Sequence, residues 1–180
     1  MLTINKSAYR ALISVSLIFA VLFVAVLGFK SVVARYRIGY DPQKIKCLPY
    51  TLYFLKLGKI PAPQIHYGEI LVYTPRPGQM GKGAAFLGES IGKVVFGLPG
   101  DHFVVKGTQA YINGFPVGLK MDLFDKLRQK GMYPPGGFDK DLIIPGHKIL
   151  LLGTMPRSYD GRYWGLVDDN QVVARAYPLY

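Results

Sequence analysis

Cysteine is nearly absent, for Cys47 is the only one in 180 residues. That excludes a disulfide framework, a CxxC redox pair and a cysteine-rich zinc site. The three histidines, His66, His102 and His147, are scattered without metal-ligand or triad spacing, so structural or solvent roles are expected for them and no metal site. Zinc and nucleotide motifs are missing, and Gly81-Lys82-Gly83 lacks the phosphate-loop pattern and reads as an ordinary loop. No cofactor is expected. Internal repeats, low-complexity tracts and a helix-turn-helix pattern are lacking as well. Acidic residues are scarce, 11 against 22 Lys and Arg, which leaves a formal charge of +11 at pH 7. Net charge reports association and not fold, so nucleic acid, an anionic membrane surface and an acidic partner all remain open on charge alone.

What is present begins with an uncharged run over 11–29, ALISVSLIFAVLFVAVLGF. At 1.5 Å per residue this approaches the roughly 30 Å hydrocarbon thickness of a bilayer. A cleaved signal peptide has a shorter apolar stretch ending in small residues, and Gly28-Phe29-Lys30-Ser31-Val32-Val33-Ala34-Arg35 offers no clean small-x-small site. An uncleaved transmembrane anchor within residues 1–30 is expected, which argues against a nucleic-acid partner. Lys6 and Arg10 precede the run, whereas Lys30, Arg35, Arg37, Lys44 and Lys46 follow it, and the positive-inside rule then puts the body in the cytoplasm. Residues 31–46 read as a basic membrane-proximal arm lying along lipid headgroups.

From residue 47 to 180 the apolar runs are short, rich in Tyr, Val, Ile and Phe, and separated by Gly or Pro. Strands are expected at 52–55, 70–73, 93–96, 103–106, 110–112, 148–152, 164–167 and 172–177. Asn113-Gly114 between two apolar runs predicts a type I′ hairpin, because both residues tolerate positive φ. Residues 121–140 carry alternating charge and then Pro134-Pro135-Gly136-Gly137, and read as a surface insertion with a short helical turn near 122–130. The fold class is mostly β on one N-terminal transmembrane helix.

Two residues promise chemistry. In Gly92-Lys93-Val94-Val95-Phe96-Gly97-Leu98-Pro99-Gly100-Asp101 a lysine sits in an apolar strand that enters a turn. Alone, it reads as a strand-edge lysine with its amine in water. Lodged among apolar residues, it loses hydration, which disfavours the ammonium, and a neutral amine is a competent base. Cys47 alone reads as a small buried hydrophobe. Beside a cation, a thiol becomes a nucleophile.

The lysine stretch resembles signal peptidase I, whose catalytic lysine precedes a similar Val-Gly-x-Pro-Gly-Asp turn. Ser158-Tyr159-Asp160-Gly161-Arg162-Tyr163-Trp164-Gly165 is similar to the Ser-x-Asp-Ser-Arg-x-x-Gly box of that family. Tyr67-Gly68-Glu69-Ile70-Leu71-Val72-Tyr73 is similar to its Gly-Asp-x-Val-x-Phe strand. In Cys47-Leu48-Pro49-Tyr50-Thr51-Leu52-Tyr53 the proline spacing resembles the conjugation-associated TraF-type branch, Ser-x-Pro-x-Gly-x-Tyr, with cysteine for serine and Thr51 for glycine.

The resemblance implies a twisted, partly barrel-like β domain with Cys47 as nucleophile and Lys93 as general base. It implies that Ser158 hydrogen-bonds the lysine amine and that Asp160 pairs with Arg162 to hold the loop. Where some leader peptidases have a hydroxyl donor for the oxyanion, two residues before the nucleophile, this chain has Ile45. The implied protein is single-pass in a bacterial inner membrane with its catalytic domain on the periplasmic side, opposite to the charge rule. Its implied substrate is a propilin or other exported precursor, cleaved at the leader and open to cyclisation through a thioester, with pilus assembly components as further partners. An inactive scaffold of a secretion or conjugation pilus complex, in which cysteine marks loss of the serine, is the alternative.

Overall fold

The computed structural model describes residues 6–79, 89–118, 120–132 and 137–180. The Gly81-Lys82-Gly83 loop and Pro134 to Gly136 lie outside them. The chain divides into two units, one up to Arg37 and the other from Ile38 onward.

The first unit is dominated by helix α1, Lys6–Arg35. Its stretch Tyr9–Arg35 is apolar and long enough to cross a membrane, and none of the apolar window is buried by the protein. Apolar side chains exposed all round a helix need a nonaqueous solvent. The helix therefore continues past the apolar run through the first part of the segment read as an arm, and the rest of that segment opens with strand β1, Tyr36–Tyr40.

The second unit is β-rich. Strands β2 (Leu52–Leu57), β3 (Ile70–Tyr73), β4 (Ile91–Gly97), β5 (His102–Lys106), β6 (Gln109–Ile112), β7 (Phe115–Pro116), β8 (Lys140–Ile143), β9 (Lys148–Leu152), β10 (Val167–Asp168) and β11 (Val172–Pro178) form two sheets. The larger runs β1-β2-β11-β3-β4-β9-β10 and the smaller β7-β6-β5-β8, and neither closes on itself. The strand expected at 164–167 is instead a short helix, α3 (Gly161–Trp164), followed by β10. The Asp160 carboxylate accepts the Arg162 N–H at the helix start, and Gly165 with φ of 100° ends it, so local capping overrides the apolar run. Helix α2, Phe124–Gln129, occupies the region read as a helical turn, and β8 adds a strand at the end of the segment read as an insertion. Asn113 and Gly114 have φ of 51° and 83°, the positive pair that a type I′ turn demands.

Alternation along the strands builds a core on each face of the large sheet. Leu71 and Tyr73 of β3 pack with Ile91 and Val95 of β4 and with Ile149 and Leu151 of β9. Ile70 turns the other way, toward Leu48, Tyr53 and Ala176. A third cluster joins the smaller sheet to α2 and α3 through Phe103, Leu127, Phe138 and Tyr163. The register of β4 against β9 slips between Val95 and Gly97, and this irregularity precedes the turn that carries the chain to β5.

That turn is organised by Asp101. Its carboxylate accepts from the Leu98 N–H at 2.7 Å, the Tyr67 hydroxyl at 2.7 Å and the Asn113 amide at 2.8 Å. Burial pushes this carboxyl up, but the three donors outweigh it and hold it below the ordinary range. One side chain thus ties the strand after Lys93 to the hairpin and to the segment before β3.

Candidate active site

Lys93 lies on the face of β4 shared with Ile91 and Val95, opposite Leu71 of β3. Period-two alternation therefore drives a charged residue into the core, and Lys93 is fully buried. A buried lysine without a partner is costly, and its Nζ donates to Ser158 Oγ at 2.8 Å. Ser158 is itself fully buried, and its N–H reaches the Met155 carbonyl, so the turn after Pro156 sets its direction.

Asp160 and Arg162 form a fully buried pair. Arg162 Nη2 donates to Asp160 Oδ2 at 2.6 Å and Nε to Oδ1 at 2.8 Å, a two-point contact suited to the planar guanidinium. The same carboxylate also accepts the Arg162 N–H at 3.2 Å and the Gly153 N–H at 2.9 Å. Burial pulls the guanidinium toward neutrality, but the Asp160 hydrogen bonds and charge outweigh this and raise its affinity for the proton. From below, Lys140 Nζ donates to the carbonyls of Arg162 at 3.3 Å and Tyr163 at 3.0 Å, which steadies the C-terminal end of α3.

Cys47 is half-buried on the loop before β2. Its carbonyl accepts from the Thr154 and Met155 N–H groups at 2.9 and 3.2 Å, which fastens the Cys47 loop to the loop after β9. Between them lies Gly153. A Cβ there would stand 2.1 Å from Ser158 Oγ and 2.6 Å from the Cys47 carbonyl oxygen. The serine that holds Lys93 and the backbone of Cys47 thus meet at one residue that has no side chain. Beside Cys47 a groove of about 260 Å³ opens, with Leu48, Tyr53, Ile70, Val72 and Ala176 along it.

Joined through Ser158 and Gly153, the Cys47 loop and the Lys93 strand supply the kinds of group that nucleophilic catalysis uses, a thiol and a buried amine oriented by a hydroxyl. Among the described residues no group of His, Cys, Asp and Glu is placed to hold a metal ion. Residues 10–180 match the family model described as "Signal peptidase, peptidase S26".

The chain belongs to the peptidase S26 signal peptidase family.

Among curated relatives, the probable signal peptidase I-2 of Synechocystis is 31% identical over 114 residues, covering 61% of this chain and 45% of that protein. Signal peptidase IB of Staphylococcus aureus is 33% identical over 93 residues, covering 46% and 49%. The chain thus spans about half the length of these relatives. A crystal structure of a signal peptidase I from Enterococcus faecalis aligns over 60% of this chain and 92% of that one, at 22% identity and a TM-score of 0.34.

Within this signal peptidase family member, three features around these side chains were not legible from sequence. Gly153 looks like any glycine after a strand. Lys140 looks like a surface lysine in a charged segment, although three carbonyls hold its amine. Tyr73 stands where the family block has an apolar aromatic, and only its hydroxyl sets it apart.

Proposed function

We propose that this chain is a membrane-anchored endopeptidase that cleaves exported precursors through an acyl-enzyme on Cys47, with Lys93 as general base. The observation that carries the reading is the fully buried Lys93 amine on Ser158 Oγ, with Ser158 and the Cys47 carbonyl both packed against Gly153. Residues 47–180 are the catalytic portion and α1 is the anchor. Lys93 takes the thiol proton, Cys47 attacks the scissile carbonyl, and the protonated lysine then gives its proton to the leaving amine. Ser158 orients the amine, Asp160 and Arg162 hold the loop that carries Ser158, and the groove beside Cys47 receives apolar residues before the cut. Because Ile45 has no hydroxyl, the Cys47 N–H bears the oxyanion.

The Cys-Leu-Pro spacing favours the conjugative branch, hence a propilin as substrate and a periplasmic site at the inner membrane. A thioester reacts readily with amines, so the acyl group passes to water or to the substrate's own amino terminus, and the mass of the product distinguishes the two. Co-expression with candidate exported precursors tests the reading. Cys47→Ala, Lys93→Ala and the double variant are expected to lose processing to the same extent, because members of one catalytic unit are not additive. Full processing by Lys93→Ala overturns it. A membrane-impermeant thiol reagent on spheroplasts reports the side on which the only cysteine lies, with a denatured control for burial.

A further inference from the structure

We propose that Tyr73 is a further positioning residue of this site, its buried hydroxyl holding the water that hydrolyses the acyl-enzyme. The inference rests on Cys47 being the nucleophile. Tyr73 is fully buried, and its hydroxyl has no hydrogen-bond partner among the described residues. A buried hydroxyl left unpaired is costly, whereas phenylalanine would fill the same space without that cost, so the oxygen calls for a visiting partner.

Its place says which partner. Tyr73 pairs with Ile91 across β3 and β4, and Leu71 pairs with Lys93, so Tyr73 and Lys93 are diagonal neighbours on one face. The ring is set by Trp164, with centroids 5.9 Å apart. Burial first, then the charges of Asp160 and Cys47, push ionisation of the hydroxyl up, so it stays protonated within electrostatic reach of both groups. Asp160 cannot be its acceptor, because both carboxylate oxygens are filled by Gly153 and Arg162 donors. Lys93 has Ser158 as its partner. The hydroxyl, like the Trp164 Nε1 of the ring packed against it, is thus left for a water on the face of the sheet that carries Lys93.

In the step assigned to it, the water oxygen bonds to the acyl carbon and the carbon–sulfur bond breaks. The water proton passes to the Lys93 amine and from there to the departing sulfur, which restores thiol and neutral amine. Tyr73 directs the water and neither gains nor loses a proton overall.

The test uses the full chain in detergent micelles with p-nitrophenyl acetate, which acylates a nucleophilic thiol without a known substrate. The native chain is expected to release a burst of about one nitrophenol per molecule, then a slower steady rate set by deacylation. Tyr73→Phe is expected to keep the burst and slow the steady rate about tenfold, with hydroxylamine restoring turnover because a strong added nucleophile needs no held water. Tyr73→Met serves the same purpose if Tyr73→Phe does not melt cooperatively. An unchanged steady rate, or burst and steady rate reduced alike, overturns the role of Tyr73. A burst that survives in Cys47→Ala overturns the nucleophile itself, a separate failure.

Discussion

Gly153→Ala adds a single methyl group at the point where the site is assembled. The new carbon would lie 2.1 Å from Ser158 Oγ, 2.6 Å from Ser158 Cβ and 2.6 Å from the Cys47 carbonyl oxygen, all inside van der Waals contact. Rotating Ser158 away would break its 2.8 Å contact with Lys93 Nζ. Moving the Cys47 loop would break the 2.9 and 3.2 Å bonds from the Thr154 and Met155 N–H groups. Overpacking of this kind costs about 1–3 kcal/mol. At roughly 2–4 °C per kcal/mol for a chain of this size, melting should fall by several degrees while the protein stays folded. A misplacement of about 1 Å between reacting groups costs on the order of a hundredfold in rate. Activity should therefore fall much further than stability, and the nitrophenyl ester burst beside a melting curve in micelles measures both. A Gly153→Ala protein with native burst rate and native melting would refute the claim that the two loops meet at this residue.

Three further outcomes follow from the same geometry. Asp160→Ala removes the two-point carboxylate partner of the fully buried Arg162 guanidinium, so it should destabilise the chain by about 3–5 kcal/mol, and Asp160→Leu with Arg162→Met should recover most of that loss in denaturant titration. Asp101 has a depressed carboxyl, so its contribution is present above the unfolded value near 4 and is lost as pH falls through the lower folded value. Asp101→Asn should therefore be less stable than the native chain at pH 7, and the gap should close below about pH 4. For Lys140, burial lowers the pKa to about 8 against a slight opposing pull from Asp139. The unfolded chain then binds the proton more tightly, so stability should rise between about pH 8 and 10 by on the order of 1–3 kcal/mol, a rise that Lys140→Met should abolish.

Much of the molecule was legible along the chain because its signals are local. An uncharged run is as long in sequence as in space, and α1 follows from it directly. Short apolar runs bounded by Gly or Pro gave β3 and β9 with the bounds expected, because strand propensity and turn punctuation both act within a few residues. Asn113-Gly114 specified its own turn through backbone freedom. Around 164–167 the same apolar reading failed, since Asp160 and Gly165 capped a helix whose ends are visible only once Asp160 is seen bonding across it.

What the tertiary structure alone decided is proximity. Cys47, Lys93 and Ser158 are far apart in the chain, and no pattern of types could say that a serine hydroxyl and a cysteine carbonyl would share the space over Gly153. Nor could sequence say that Lys93, in an alternating strand, would be wholly buried rather than at an edge, because burial depends on which loops cover the sheet. The physical reason is one of range: propensity and periodicity act over a few residues, whereas the hydrogen bonds that orient this amine join segments brought together only by the packed sheet.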